Sequence, residues 1–359
     1  MSLLTDSPRT RLGWSDELEH AFAPHADDGL VPARVTVQNR GLYLVAGDDG
    51  ELQAEPTGRL RLAATNGGTL PAVGDWVAVR PPDGDGRATI TAVLPRRTKL
   101  SRKVPEREIE EQVLAANVDV IFVVTSLNRE LKLRRLERYL AAAWESGASP
   151  VIVLTKSDLA EDAGERRLEV ESIAFGVPVH AVSSVTREGL EGLPPYFAGH
   201  RTAIFLGSSG VGKSTLINAL AGEEIQATAE IRESDDRGRH TTTRRELIVL
   251  PDGGIVIDTP GMRQLQLWDA DEGMETAFSD VAELIAQCRF SDCAHKTEPG
   301  CAIRAALVDG SLPRDRWESY TKLQRELFAL EVKLDKGLKS EQRKKWRARE
   351  RQRRHPKRW

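Results

Sequence analysis

The chain has 359 residues, of which 40% are hydrophobic and 29% charged, and its formal net charge is −3 at pH 7. This composition is typical of soluble globular proteins, and the length suffices for two or three domains. No apolar run approaches the roughly 20 residues of a membrane-spanning helix, and the first thirty residues lack a signal peptide's apolar block. We therefore expect a cytoplasmic protein with no membrane partner.

The small net charge conceals two oppositely charged regions. Residues 332–359 contain 13 Lys plus Arg against 3 Asp plus Glu, so this tail carries about +10 and the remainder of the chain is acidic. A basic tail on an acidic body points to a polyanionic partner, while a solvated charged helix explains the same composition. The three cysteines all lie between residues 288 and 301, which favours a metal site over a disulfide framework.

The N-terminal third predicts a flexible leader and then a small barrel. Residues 1–30 are polar without a sustained period, so we expect them to be loose. Short alternating runs between turn signals then predict a five-stranded OB-fold over residues 31–100. The predicted strands are residues 33–38, 41–46, 59–63, 75–80 and 87–94. OB-folds often stack bases on aromatic rings, but Trp76 alternates with apolar neighbours, and we interpret it as a core residue.

Residues 101–112 predict a basic linker, and residues 113–272 a doubly wound α/β domain. The linker, with Arg96, Arg97 and Lys99 before it, can contribute to RNA binding. Residues 118–125 form a continuous apolar run, typical of a strand buried on both faces, and residues 131–146 have helical spacing. Further strands are predicted at residues 151–155, 179–182, 202–206, 247–250 and 254–258, the last two as a hairpin.

A phosphate-binding loop follows the strand at residues 202–206 and precedes a helical run. Its glycines let backbone N–H groups surround a phosphate, and the helix N-terminus adds a favourable dipole. We expect Lys213 to reach the β- and γ-phosphates and serve catalysis, and the Ser214 hydroxyl to bind Mg²⁺. The predicted contact residues are Gly207, Ser208, Ser209, Gly210, Val211, Gly212, Lys213, Ser214 and Thr215.

A second motif predicts that the base is guanine. Thr155, Lys156, Ser157 and Asp158 end the strand at residues 151–155. The Asp158 carboxylate can accept from both N1–H and the 2-amino group of guanine, and adenine lacks that donor pair. Ser183 and Ser184, at the end of the next predicted strand, suit a loop that contacts the base through backbone groups.

The rest of the nucleotide site is expected after the phosphate loop. Asp258 and Gly261 belong to an Asp-Thr-Pro-Gly sequence, where Asp258 reaches Mg²⁺ through water and the Gly261 N–H meets the γ-phosphate. Residues 238–243 read Gly-Arg-His-Thr-Thr-Thr. Within them Thr242, or alternatively Thr241, completes the Mg²⁺ shell. The base-reading motif precedes the phosphate loop, so the order is circularly permuted relative to conventional GTPases.

Hydrolysis requires a group that positions the attacking water. Conventional GTPases use a glutamine after the Asp-x-x-Gly glycine, but this chain has Met262 there, which offers no useful hydrogen bond. His240 is the nearest candidate in sequence; the alternative is that it only packs within its segment. We expect slow intrinsic turnover that a macromolecular partner accelerates.

A cluster of potential metal ligands follows the α/β region. Three thiols and one imidazole within fourteen residues match a closed structural zinc site with one ion per chain, and free buried thiols are the alternative. The four residues are Cys288, Cys293, His295 and Cys301. An amphipathic helix is expected from residue 313 to about residue 338.

Together these motifs resemble the ribosome small subunit-dependent GTPase A family (RsgA/YjeQ), over nearly the whole chain from about residue 31. The resemblance implies an OB-fold domain, a central circularly permuted P-loop GTPase domain and an α-helical zinc-binding domain at residues 273–338, before a basic tail at residues 339–359. It implies a late assembly factor bound to the 30S subunit and 16S rRNA, whose GTP hydrolysis the 30S particle stimulates. It also implies a catalytic role for His240.

A second function class stays open. An RNA-binding assembly module with GTP as a sensing ligand fits Met262, whereas a turned-over substrate fits Lys213, Ser214 and Asp258. A metabolic kinase fails to explain the base-reading motif, the cysteine cluster and the basic tail together. In either case we expect a monomer.

Overall fold

The computed structural model describes residues 6–39, 41–65, 70–84, 86–103, 111–127, 131–225, 245–258 and 271–334. The chain divides into two compact units, the first formed by residues 1–102 and 112–265 and the second by residues 103–111 and 266–359. Within the described ranges, every helix is too short or too polar to cross a membrane.

The expectation of a loose leader is wrong for residues 6–30. They form α1 (Pro8–Arg11) and α2 (Asp16–Ala26). Leu18 and Phe22, one turn apart on α2, are buried, and Trp14 packs edge-on against Trp76 with ring centroids 4.7 Å apart. A few apolar side chains at helical spacing are enough to dock a mostly polar segment, because only one stripe of the helix needs to be buried.

The predicted five-stranded barrel is confirmed. Its strands follow the order β1-β2-β3-β5-β4, and β4 pairs with β1 to close the barrel. Trp76 is 1% exposed and belongs to the core, as expected. The strands are β1 (Val31–Asn39), β2 (Leu42–Gly47), β3 (Gly50–Pro56), β4 (Trp76–Arg80) and β5 (Ala88–Val93).

One predicted barrel strand is wrong. Residues 59–63 lie in a helix, α3 (Gly58–Thr65), and the third strand is β3. The alternation of Arg and Leu over residues 59–62 imitates a strand, but Thr57 accepts from the N–H of Leu60 at 3.3 Å and starts a helix. In β3 only Ala54 and Pro56 are buried, so its apolar pattern is weak.

The residues predicted as a basic linker contribute to strands at both of their described ends. β6 (Lys99–Lys103) and β7 (Glu111–Ala116) form a two-stranded sheet. Leu100 and Leu114 are buried. The segment is therefore part of the folded structure at these ends, and residues 104–110 lie outside the described chain.

The predicted α/β domain and its hairpin are confirmed. Its strands follow the order β10-β9-β8-β11-β13-β12, with every pair parallel except β12–β13. The strands are β8 (Val120–Ser126), β9 (Ser149–Thr155), β10 (Val179–Ala181), β11 (Thr202–Leu206), β12 (Arg245–Val249) and β13 (Ile255–Asp258). The helices are α4 (Leu133–Glu145), α5 (Ala163–Glu171) and α6 (Lys213–Ala221). All seven residues of β8 are buried, as its continuous apolar run predicts.

The barrel and the α/β sheet belong to the same compact unit. β1 pairs antiparallel with β12 at Val37↔Glu246 and Gln38↔Arg245, which joins the two sheets. The fully buried guanidinium of Arg34 donates to the carbonyl oxygens of Leu12, Gly74 and Asn117 and to Thr202 Oγ1, at 2.5–3.2 Å. Desolvation by burial lowers the pKa of Arg34 to about 10.

The second unit is mostly helical over residues 271–334. It contains α7 (Asp271–Ala277), α8 (Ser279–Ala286), α9 (Ala302–Asp309) and α10 (Arg314–Leu334). The Arg316 guanidinium, 4% exposed, bonds both carboxylate oxygens of Asp280 at 2.7 and 3.1 Å and packs over the ring of Phe278. α10 agrees with the predicted helix up to residue 334, and the basic tail lies outside the described residues.

Candidate nucleotide site and metal centre

The phosphate loop lies at the carboxyl end of β11 and leads into α6. Gly207 contacts the neighbouring strand so closely that a Cβ there would lie 2.2 Å from the carbonyl oxygen of Val124. Gly210 and Gly212 have φ angles of 78° and 93°, in the region that glycine tolerates best. Lys213 Nζ donates to the carbonyl oxygens of Gly207 and Ser208 at 2.8 and 2.7 Å, so its ammonium lies over the loop.

The base-reading motif contacts this loop directly. Thr155 Oγ1 donates to the carbonyl oxygen of Val211 at 2.5 Å, and Lys156 Nζ donates to that of Gly210 at 2.9 Å. Lys156 adopts a left-handed φ of 60°, which is uncommon for a residue other than glycine. Since β9 and β11 are separated by β8, these side chains bridge the ends of three parallel strands. Two motifs that lie far apart in the chain therefore form one site.

The residues expected to meet the base lie at the ends of β9 and β10. Asp158 is exposed in a short 3₁₀ turn that begins at Ser157. Ser183 is fully buried, and its Oγ accepts from the N–H groups of Val185 and Thr186 at 3.2 and 3.1 Å. The Ser183 hydroxyl therefore stabilises its own loop.

Part of the expected nucleotide site is outside the described residues. Asp258 ends β13, which pairs in parallel with β11, and this places its backbone at the same sheet edge as the phosphate loop. Gly261, His240, Thr242, Thr241 and Met262 all lie outside the described chain. Their roles stay predictions.

Two residues near the phosphate loop were missed at the level of sequence. Arg135 Nη1 on α4 donates to Ser208 Oγ, and Tyr139 on the same helix lies beside the same side chain. No local pattern marks them, because the contact joins residues 73 positions apart. Their helical spacing predicts only that they share one face of α4.

The predicted metal ligands form one cluster in the second unit. The ligand atoms of Cys288, Cys293, His295 and Cys301 all lie within 4.8 Å of one another. His295 Nδ1 is 3.5 Å from the sulfur atoms of both Cys288 and Cys301. Three sulfurs and one imidazole nitrogen at this separation fit a single tetrahedral zinc ion.

The cluster is supported by backbone groups around it. Desolvation acts to raise the pKa of the Cys288 thiol, but hydrogen bonds from the Ala302 and Ile303 backbone and from the Cys293 and Cys301 side chains together outweigh it, and the pKa falls below its usual value. The Glu298 carboxylate accepts from the N–H groups of Ala294, Lys296 and Thr297 at 2.8–3.2 Å, which holds the loop that carries His295. Such contacts orient ligands and favour a metal-binding thiolate.

The fold and the joined motifs define a circularly permuted P-loop GTPase with an N-terminal barrel. The RsgA GTPase family model matches residues 93–268. The chain is 48% identical to the small ribosomal subunit biogenesis GTPase RsgA of Opitutus terrae, over 93% of this chain and 94% of that one. The chain therefore belongs to the RsgA GTPase family, and it is a GTP hydrolase.

Other relatives and solved structures agree. The small ribosomal subunit biogenesis GTPase RsgA of Streptomyces coelicolor is 47% identical, over 94% of this chain and 91% of that protein. The crystal structure of YjeQ from Thermotoga maritima superposes with a TM-score of 0.62 at 29% identity, over 83% of this chain and 99% of that one. YloQ, described as a circularly permuted GTPase, gives a TM-score of 0.59 at 25% identity, over 84% and 96%.

Proposed function

We propose that this GTPase acts in the biogenesis of the small ribosomal subunit, as a late checkpoint that binds the 30S particle and hydrolyses GTP in response. The observation that carries the proposal is the contact of Thr155 and Lys156 with the phosphate loop, which assembles a guanine-nucleotide site in permuted order. The small ribosomal subunit biogenesis GTPases to which this chain is similar supply the ribosomal context.

Each motif residue takes a defined role in this proposal. The Asp158 carboxylate reads guanine, and the loop of Ser183 and Ser184 contacts the base through its backbone. The remaining predicted contacts cradle the phosphates, with Lys213 on the β- and γ-phosphates. Ser214 and Thr242 would hold Mg²⁺ directly and Asp258 through water, and the ion would supply stabilisation of the charge that develops on the phosphates.

His240 is the proposed group that orients the attacking water. Met262 stands where conventional GTPases carry a glutamine, and a thioether offers only a weak acceptor. An imidazole can orient water or accept its proton near neutral pH. Turnover is slow until the 30S particle completes the site.

In the permuted order, the segment that is expected to respond to hydrolysis continues directly along the chain into the second unit. The chain runs from Asp258 through residues 259–270 into α7. Release of the γ-phosphate removes a contact of the Asp-Thr-Pro-Gly sequence at the start of that connection. A change of nucleotide therefore shifts the conformational equilibrium of the segment that follows it in the chain. Four side chains would hold one structural zinc ion that would stabilise this unit: Cys288, Cys293, His295 and Cys301.

The proposed partner is the 30S subunit through 16S rRNA, with the chain acting as a cytoplasmic monomer. A surplus of about ten positive charges in residues 332–359 suits rRNA phosphates, and this contact should weaken steeply with salt. Met262 favours one alternative, an RNA-binding module in which GTP is sensed but not turned over.

Co-sedimentation through sucrose tests the partner. Full-length protein is mixed with purified 30S or 50S subunits in the presence of GDP or a non-hydrolysable GTP analogue. The proposal predicts co-migration with 30S alone, and more of it with the analogue than with GDP. Equal binding to both subunits, or binding that ignores the nucleotide, contradicts a GTP-gated small-subunit factor. If the protein co-migrates with 30S subunits in the presence of the analogue but does not turn GTP over, the result supports the alternative of an RNA-binding module that senses GTP.

A further inference from the structure

Two side chains of α4 converge on the second residue of the phosphate loop. Arg135 Nη1 donates to Ser208 Oγ, and Tyr139 lies beside the same hydroxyl. Arg135 and Tyr139 are four residues apart, so they lie one above the other on the same helix face. Tyr139 is 4% exposed, and burial raises its pKa.

Ser208 also contacts the lysine that the nucleotide requires. Lys213 Nζ lies 2.7 Å from the Ser208 carbonyl oxygen and 2.8 Å from that of Gly207. Ser208 therefore accepts a hydrogen bond from the Arg135 guanidinium at its hydroxyl and another from the Lys213 ammonium at its carbonyl oxygen. In the role given to Lys213 under Proposed function, nucleotide binding would replace these two carbonyl contacts with contacts to phosphate oxygens, and the Ser208 carbonyl oxygen would lose this partner. The hydrogen bond from Arg135 to Ser208 Oγ does not depend on which oxygen atoms Lys213 contacts.

The helix that carries Arg135 is well anchored. Leu136 and Leu140 on α4 are each 1% exposed, and α4 follows β8, whose residues are all buried. Groups that position a reacting centre work best when a packed element fixes them. α4 thus offers the loop a rigid support from outside the phosphate-loop sequence.

We propose that Arg135 is a positioning residue for GTP hydrolysis. Through Ser208 Oγ it fixes the loop backbone from which Lys213 reaches the β- and γ-phosphates. A small displacement of a catalytic charge lowers the rate of the chemical step more than it lowers binding, because the charge on the phosphates develops fully only in the transition state. The inference rests on the role of Lys213 given under Proposed function.

Steady-state GTP hydrolysis by the full-length protein, without ribosomes, tests the positioning role. Arg135→Ala and Ser208→Ala each lower kcat about tenfold while KM changes by less than about threefold. The double variant is no slower than the slower single variant, because both changes remove the same contact. Arg135→Lys keeps a donor and recovers part of the rate. Arg134→Ala, an exposed neighbour on the same helix, keeps the parental kcat.

Rates are normalised to the concentration of GDP-binding sites, so a partly folded variant is still informative. A kcat of Arg135→Ala equal to that of the parent overturns the inference. A double variant whose loss of kcat equals the product of the two single losses also overturns it. Lys213→Ala separates this failure from a failure of the proposed site. An inactive Lys213→Ala beside a fully active Arg135→Ala refutes only the positioning role. Parental turnover in Lys213→Ala refutes the assignment of Lys213 and the inference with it.

Discussion

The hydroxyl of Thr155 donates a 2.5 Å hydrogen bond to the carbonyl oxygen of Val211, which joins the base-reading motif to the phosphate loop across 56 residues of sequence. Thr155 is 2% exposed, so this bond is shielded from water. The contact depends on which strand ends are neighbours in the sheet and not on their order in the chain. Permutation can therefore preserve the nucleotide site.

Removing this hydroxyl should weaken nucleotide binding. Thr155→Val is nearly isosteric but leaves the Val211 carbonyl oxygen without its donor. We expect the Kd for GDP to rise about tenfold, the order expected from one lost buried hydrogen bond. Fluorescence titration with a labelled GDP measures it. Thr91→Val is the control, since it removes a similar 2.9 Å bond to the Ala78 carbonyl oxygen in the barrel and should leave GDP affinity unchanged. Equal GDP affinity in Thr155→Val and the parent contradicts the account.

The preference for guanine should depend on the carboxylate of Asp158. Asp158→Asn replaces the proposed acceptor of two guanine donors with an amide, whose N–H matches the 2-carbonyl of xanthine. We expect GDP affinity to fall by about 100-fold and xanthosine diphosphate to become the better ligand. Competition titration with both nucleotides measures the change. Asp162→Asn, which alters an exposed ion pair with Arg166, serves as the control. Unchanged preference for GDP in Asp158→Asn would remove this residue from the base site.

The buried Arg34 should stabilise the first unit. Arg34→Met keeps the length of the side chain but removes four buried hydrogen bonds. The Gly74 carbonyl oxygen keeps its bond from the Asn117 amide, and the other three acceptors lose the donor that Arg34 supplies. We expect a loss of unfolding free energy on the order of 3 kcal/mol, measured by urea denaturation. Arg61→Met removes an arginine whose side chain is 54% exposed and should cost less than about 1 kcal/mol. Equal stability of the two variants would contradict a structural role for Arg34.

The cysteine cluster should hold about one zinc ion per chain. Cys293→Ser replaces a thiolate ligand with a hydroxyl and should lower both the zinc content and the thermal stability of the second unit. Elemental analysis of dialysed protein and thermal unfolding measure these effects. Ser291→Ala, an exposed change two residues away, should alter neither. Full zinc content in Cys293→Ser argues against this ligand set.

The sequence predicted those parts of the fold whose residues repeat with a clear period. The continuous apolar run of β8 and the alternation in β1, β4 and β5 gave the correct element types. The prediction failed at β3 and α3, because β3 buries only two residues and the Arg-Leu alternation of α3 imitates a strand. It also failed for α2, since a polar composition conceals a docked helix with one apolar stripe.

In the candidate site, too, the sequence predicts some residues and misses others. Loop glycines, Lys213 and Asp158 belong to local motifs, so sequence spacing identifies them as candidates. Arg135 and Arg34 act through contacts between residues far apart in the chain, and a single sequence contains no pattern for such contacts. Tertiary packing alone brings Arg135 to Ser208 and Arg34 to Thr202.

The measurement that tests the central claim most directly is multiple-turnover phosphate release from GTP by the full-length protein, alone, with 30S subunits and with 50S subunits. The account predicts slow release alone, strong stimulation by 30S, and none by 50S. Ser214→Ala, which removes the proposed Mg²⁺ ligand, should abolish release in all three conditions. Rapid turnover by the protein alone, or equal rates with and without 30S subunits, would contradict a GTPase that the small subunit controls.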